Sequence, residues 1–323
     1  MVKNLIKPIA MRDTLLESIY QLMLKNEKIF FVSADFGSPV LDKIRTYCPE
    51  QFLNVGIAEQ NLINVSSGLS LEGNIVFAYA IAPFITMRCF EQIRVNLALL
   101  SKVRDLNVNL IGVGAGYSYV VSGPTHQCYE DISIMRSLPN IDIYSPSDQH
   151  TAEKIPNFII QKKGIKYIRL DAQILNIIEH KKNIDNDGYR VLRTGKDLII
   201  IATGYLTHTA LKVADLLNNK GFSVGVIDLI NLTNFNEKKI ISDFKLTKTI
   251  VSLEEGFTGR GGVDSIFLNL FNKYQINKKY SSFGVKPEYL FEIGERDYIH
   301  EIVGVGSKKI SKELTKLMKE GHK

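Results

Sequence analysis

The stretch Asn54-Val55-Gly56-Ile57-Ala58-Glu59-Gln60-Asn61 decides the fold. It closes a short apolar run, Phe52 to Val55, and leads into Ile63, Val65, Leu69 and Leu71 with small residues between them. A strand that ends at a glycine and gives way to helical apolar spacing is a strand–turn–helix unit. One carboxylate, Glu59, stands at the mouth of that helix. A carboxyl packed at such a position is a candidate proton handler. The plainer use of a glutamate in a first turn is to complement the helix dipole.

The same alternation continues outward from this unit. Helical spacing runs from Arg12 to Leu24, with Asp13 or Thr14 as its cap. Lys28 to Ala34 reads as a buried strand, followed by the turn Asp35-Phe36-Gly37-Ser38-Pro39. Ile75 to Tyr79 is a further strand, with a long helix from Phe84 to Leu99 behind it. Val108 to Val113, Ile141 to Tyr144 and Tyr167 to Leu170 are extended, and Asp131 to Arg136 and Thr151 to Lys162 are helical. Strands alternating with helices predict parallel α/β packing. Lys, Asn, His and Asp then dominate from Glu179 to Gly188, which marks a linker. Beyond it come the strand Leu198 to Ala202, a helix from His208 to Asn219, and strands at Ser223 to Asp228 and Lys248 to Leu253. The glycine-rich turn from Gly256 to Gly262 opens another helix. The expected organisation is a first domain over 1–175, a linker over 176–193 and a smaller α/β domain over 194–323. Each domain is expected to hold a mostly parallel sheet flanked by helices.

Bulk properties narrow the function. A chain of 323 residues with 45% hydrophobic content can bury two cores and is not disordered. The net charge of +6 is dispersed, with some concentration from Lys308 onward. No basic stripe interleaved with aromatics is present, so nucleic acid is not an expected partner. Cys48, Cys89 and Cys128 form no CxxC pair, and an odd count argues against a disulfide scaffold. Met1 to Ala10 lacks the apolar core of a signal peptide. No apolar run approaches the ~18–20 residues of a membrane span. The expectation is a soluble, cytoplasmic protein.

Gly56-Ile57-Ala58-Glu59-Gln60 closely resembles the signature of the transketolase family. Further matches follow in family order. Ser33-Ala34-Asp35 resembles the end of the family's first strand. Phe84-Ile85-Thr86-Met87-Arg88 with Phe90-Glu91-Gln92-Ile93-Arg94 resembles its aromatic-then-basic helix. Gly123-Pro124-Thr125-His126-Gln127 is similar to its histidine loop, and Tyr144-Ser145-Pro146-Ser147-Asp148 to a later segment. From Leu198 onward the resemblance is weaker and rests chiefly on Glu254-Glu255-Gly256. The resemblance implies a thiamine-diphosphate pyrimidine-binding domain followed by a transketolase C-terminal-like domain. It implies that Glu59 bonds a ring nitrogen of the aminopyrimidine and activates the cofactor. Phe84 and Ile81 are then the ring's walls, and Asp35 joins them as a cofactor-binding position. His126 is expected to orient the donor sugar, with Arg12, Ser38, Ser122 and Arg88 as further substrate contacts. Taken alone, a phenylalanine such as Phe84 is more often ordinary core, and a lone histidine such as His126 more often structural or solvated.

Departures from the family pattern bear on the substrate. Ser122 stands where typical transketolases have an aspartate, Gly114 near a substrate-touching histidine, and Ala172 in place of a phosphate-binding arginine; Arg169 is retained. Fewer charge-assisted contacts weaken binding of a sugar phosphate. A modified, nucleotide-linked or unphosphorylated sugar is therefore among the expectations. Mg²⁺ (or Ca²⁺) on the diphosphate needs carboxylate and amide oxygens, which this superfamily takes from a Gly-Asp-Gly motif that the sequence lacks. The implied assembly is an α2β2 heterotetramer in which an N-terminal, diphosphate-binding subunit holds the metal and this chain holds none. The expected activity is transfer of a two-carbon ketol unit from a ketose to an aldose. A 2-oxo acid dehydrogenase β subunit, a deoxyxylulose-phosphate-synthase-like carboligase and a catalytically silent scaffold are the alternatives. Gly112-Val113-Gly114-Ala115-Gly116 lacks the remainder of a dinucleotide fingerprint and reads as a loop. Gly259-Arg260-Gly261-Gly262 reads as close domain packing, with an anion cradle as its alternative.

Overall fold

A computed structural model describes residues 7–179 and 187–320. The first sheet has six parallel strands: β1 (Ile29–Ser33), β2 (Phe52–Asn54), β3 (Ile75–Ile81), β4 (Asn107–Val113), β5 (Ile141–Tyr144) and β6 (Gly164–Leu170). Their order is β2-β1-β3-β4-β6-β5. Helices α1 (Met11–Met23), α2 (Pro39–Tyr47), α3 (Glu59–Leu71), α4 (Phe90–Gln92), α5 (Asp131–Arg136) and α6 (Gln149–Ile159) connect and cover it. Both faces are packed, which is why β4 is buried at every residue, Asn107 and Asn109 included. Val108 and Leu110 serve one core, and Ile111 and Val113 the other, as strand alternation requires.

The long helix expected from Phe84 to Leu99 is broken. Phe84–Arg88 and Ile93–Leu99 are π-helical, with α4 as a single α turn between them. Side chains compete for the carbonyls there: Thr86 Oγ1 donates to Ala82 O at 2.7 Å and Cys89 Sγ to Ile85 O at 2.9 Å. The widened turn sets Arg88 over the Phe84 ring, 4.3 Å from its centroid. Asp13 does not cap α1, whose cap position is Ala10. It instead accepts from Ser38 Oγ at 2.9 Å and ties α1 to the start of α2.

The second sheet contains β7 (Tyr189–Arg193), β8 (Leu198–Ala202), β9 (Val224–Leu229), β10 (Thr249–Phe257) and β11 (Lys279–Val285), in the order β11-β10-β8-β9-β7. Only β7 runs antiparallel to its neighbour. Helices α7 (Leu206–Asn218), α8 (Glu237–Asp243), α9 (Val263–Lys273), α10 (Arg296–Val303) and α11 (Ser307–Glu320) complete this layer. The span 176–193 expected as linker thus ends in an edge strand, because Arg190 finds buried partners that a sequence pattern does not reveal. Residues 180–186 of that span lie outside the described residues. Among the described residues, no helix is long and apolar enough to cross a membrane.

Two buried charge clusters join the sheets. Arg190 pairs with Asp228 at 2.7 Å and lies 3.7 Å from Asp148, while Ser147 Oγ and Thr207 Oγ1 donate to Asp228 at 2.7 and 2.9 Å. Arg296 bonds Asp171 at 2.5 Å and Glu255 at 2.5 and 3.0 Å, and His300 Nε2 meets Glu255 at 2.5 Å. Burial opposes the Glu255 charge, but Arg296 and His300 outweigh it and hold that carboxyl well below the usual range.

Removing one member of such a cluster leaves a buried charge unanswered. Asp228→Ala is expected to cost about 3–5 kcal/mol in urea unfolding; an unshifted midpoint would show that the cluster does not hold the domains. Glu254 behaves oppositely to Glu255. It is buried, its Oε2 has no hydrogen-bond partner, and burial raises it from 4.5 to about 7. A raised folded-state value favours the protonated form, so its contribution is present at low pH and is lost as pH climbs from about 4.5 to about 7. Glu254→Gln is expected to flatten the stability profile across that window. A slope equal to wild type would rule this titration out.

Candidate active site at the strand ends

Strand order places the site. From β1 the chain moves outward to β2, crosses back to β3 and proceeds the other way to β4. Loops on either side of such a reversal part at the carboxyl ends of the strands and leave a crevice. Asp35 follows β1, Glu59 follows β2, Ile81 ends β3 with Phe84 just beyond, and His126 lies in the loop after β4. The cavity of about 640 Å³ lined by Arg136, Asp142, Lys162, Asn234, Phe235 and Lys273 opens near the opposite strand ends and shares none of these residues.

The turn that presents Glu59 is pinned from below. Gly56 takes φ +74°, and Asn54 Oδ1 accepts from Gly56 N at 3.0 Å and Asp35 N at 3.1 Å. Asn54 Nδ2 returns a bond to Asp35 Oδ1 at 2.8 Å. Asp35 itself is exposed at φ +54°, and its carboxylate fastens β1 to β2. Glu59 opens α3 with no side-chain cap ahead of it and is only 3% exposed.

Contacts then run from Glu59 across the crevice. Arg88 Nη1 donates to Glu59 Oε2 at 2.7 Å while its guanidinium lies on the Phe84 ring. Phe84 meets His126 edge-on at 5.3 Å between centroids, and Thr125 Oγ1 lies 3.0 Å from His126 Nδ1. Arg88, expected among the substrate contacts, therefore sits with the two residues expected at the pyrimidine. Ile81 is half-buried at the last rung of β3 and pairs with Val113.

Arg12 and Ser38 form a second group around Asp13, with Arg12 Nε 2.8 Å from the carboxylate that Ser38 also bonds. Ser122 is exposed, and its backbone closes a turn onto Tyr119 O at 3.3 Å. Arg169 is consumed in the core by Asp131, at 2.8 and 3.2 Å. The structure adds residues that the motifs missed. Tyr119 stands edge-on to His126 at 6.4 Å. Tyr79 is buried and its phenol is pushed far up by burial, against the pull of Arg12. An aromatic five residues after Gly114 was the available signal for Tyr119, but its contact depends on how the loop folds.

Comparison with known proteins identifies the class. Residues 7–177 match the transketolase pyrimidine-binding domain and residues 188–310 the transketolase C-terminal domain. The chain belongs to the transketolase family. It is 30% identical to a provisionally assigned transketolase C-terminal section of Methanocaldococcus jannaschii, over 96% of this chain and 97% of that one. It is 32% identical to one of the subunits of the apulose-4-phosphate transketolase of Actinobacillus succinogenes, over 68% and 69%. A solved split-gene transketolase, described as an inactive β4 tetramer, superposes with a TM-score of 0.84 at 28% identity, covering 97% of this chain and 99% of that one.

A pyrimidine-binding domain of this family implies thiamine diphosphate. The residues present fit its ring. A buried carboxylate and an aromatic face already hold one flat, nitrogen-rich group between them, the Arg88 guanidinium. An aminopyrimidine offers the same combination of planarity and N–H donors.

Proposed function

We propose that this chain is the cofactor-activating subunit of a split transketolase that moves a two-carbon ketol unit from a ketose donor to an aldose acceptor. The observation that carries the reading is Glu59, buried at the start of α3 and joined through Arg88 and Phe84 to His126. Thiamine diphosphate, when bound, supplies the acidic carbon and the electron sink that ketol transfer needs. Glu59 would hold a proton at its carboxyl against the pyrimidine, and burial keeps water from competing for that bond. Phe84 and Ile81 would wall the ring, with Asp35 bracing the strand ends beneath. His126 would donate to or accept from the donor's oxygens, oriented through Nδ1 by Thr125. Arg12, Ser38 and Ser122 would be further contacts for the sugar.

A partner subunit completes the assembly in this reading. The two matched domains are those that bind the pyrimidine and close the C-terminal side. Relatives of similar length are named as a C-terminal section or as one subunit of a transketolase, and the β-only tetramer is described as inactive. Each supports a separate N-terminal subunit that binds the diphosphate and its Mg²⁺, in an α2β2 heterotetramer.

Calorimetric titration of thiamine diphosphate with Mg²⁺, into the chain alone and into the complex, tests this directly. Tight binding is expected only with the partner; binding by the chain alone would remove the split-site reading. Glu59→Ala is expected to lower hydroxypyruvate turnover by roughly a hundredfold or more while the complex still assembles. Retained turnover would take Glu59 out of the mechanism. Arg88 occupies the face that the pyrimidine needs, so Arg88→Ala is expected to tighten cofactor binding by about three- to tenfold, the worth of one ion pair and one cation–π contact. Weaker binding would instead make Arg88 a cofactor ligand.

A further inference from the structure

The cavity of about 640 Å³ near the opposite strand ends gathers charge that the sequence shows as dispersed. Both domains contribute to it. The first supplies the segments around Lys102, Arg136 and Lys162, and the second supplies Phe235, Glu237 and Lys273. Among the described residues its lining holds six cations and three carboxylates, an excess of three against +6 for the whole chain. Each carboxylate is already answered by a lysine: Asp142 by Lys162 at 2.5 Å, Asp105 by Lys163 at 2.5 Å and Glu237 by Lys273 at 2.6 Å. Lys102, Arg104 and Arg136 are left without an ion pair among the described residues. Arg136 is half-buried, and its Nη1 donates to two peptide carbonyls, Gly261 O and Gly262 O, the latter at 2.9 Å. Burial works against its charge, and Glu254 and Asp264 offset that only from beyond ion-pair range. The turn at 259–262 is not itself an anion cradle. Asp264 Oδ2 accepts from Gly259 N at 2.6 Å and Glu254 Oε1 from Asp264 N at 3.1 Å, so carboxylates of the chain already fill it.

We propose that this cavity is a binding site for an organic phosphate of about nucleotide size. Its volume lies within the roughly 300–1,000 Å³ of small-molecule sites. The three cations left over match the roughly two to three negative charges of a nucleoside diphosphate. A concave wall of one sign concentrates its field on such a ligand. The planar fork of an arginine can also meet two phosphate oxygens at once, which a lone lysine cannot. Phe235, half-buried in the same lining, offers an aromatic surface to the organic part. Because the lining comes from both domains, the ligand would bridge them without touching Glu59 or His126.

Calorimetric titration of the 323-residue chain tests this with three probes: adenosine 5′-diphosphate, inorganic pyrophosphate and adenosine. Adenosine diphosphate is expected to bind with a Kd below about 1 mM, pyrophosphate about threefold or more weakly, and adenosine without detectable heat. Lys102 and Arg104 are exposed, so replacing both with alanine leaves the fold intact and is expected to weaken adenosine diphosphate by about tenfold. Arg136→Ala is expected to weaken it by a similar factor, the worth of about one charge-assisted hydrogen bond. Phe235→Leu is expected to remove the advantage of the nucleotide over pyrophosphate. Arg12→Ala removes a charge from the crevice and is expected to leave the Kd within about twofold, as distant sites act independently. Absence of binding by adenosine diphosphate, or wild-type affinity in the Lys102→Ala, Arg104→Ala variant, overturns the site. A loss in Arg12→Ala as large as in that variant would put the phosphate in the crevice and overturns it equally. Equal binding of pyrophosphate and the nucleotide overturns the assignment to an organic phosphate. None of these titrations involves turnover, thiamine diphosphate or a partner subunit, so their outcome stands apart from the transketolase reading.

Discussion

The site depends on a carboxylate of the second domain, Glu255. It is buried between Arg296 and His300, and the loop after β4 is folded around it. Tyr117 N points at Glu255 Oε1, 3.4 Å away. Gly116 passes so close, at φ +58°, that an added Cβ would lie 2.8 Å from the Glu255 Cβ. Gly116 and Cys128 then pair as a bridge, which sets the base of the loop that carries Tyr119 and His126. A buried carboxylate that must be paired therefore aims a histidine in the neighbouring domain. This is also the physical use of the glycine-rich stretch from 112 to 116, which is a close-approach loop and not a nucleotide fingerprint.

Charged groups in the scaffold and at the strand ends are treated unequally. Glu255, Asp131 and Asp228 are paired with arginines and hold the scaffold rigid. Glu59 is as buried as these, yet its cation, Arg88, is 46% exposed and comes from a π-helical turn. Arg88 reaches the buried carboxylate from solvent, whereas Arg190 and Arg296 are themselves buried beside their partners. The break in the helix after Phe84 supplies this difference. A regular α-helix would place Arg88 differently relative to Phe84, and the carboxylate–aromatic cradle would lose its present occupant.

Much of the fold is legible in the sequence because parallel strands buried on both faces are long apolar runs. The spans expected for α5, β5 and β8 coincide with the observed elements, the helix expected from Phe84 to Leu99 is broken, and the ends of the others shift by a few residues. Elements with weaker patterns escape a sequence reading. α2 begins inside a turn motif at Pro39, and α11 alternates lysines with its apolar positions. β7 falls in the span expected as linker because Arg190 and Arg193 disguise an edge strand. Within the site, Glu59, Phe84 and His126 are legible as motifs, but the motif pattern groups Arg88 with the substrate. Its contacts with Glu59 and Phe84 become visible only when the π turn brings it onto the ring.

The sequence by itself determined the alternation of strands and helices, the two domains of the family and the residues that can carry chemistry. These follow from local periodicity and short motifs, which depend on neighbours a few residues apart. Tertiary structure alone decided which of those residues meet. The Glu59–Arg88–Phe84–His126 series joins loops after three different strands, and Tyr119 takes the space above Gly114 only because the loop is folded against Glu255. Such contacts depend on how buried charges are paired across the domain boundary, over separations as large as 125 residues between Asp171 and Arg296. No local pattern encodes that pairing.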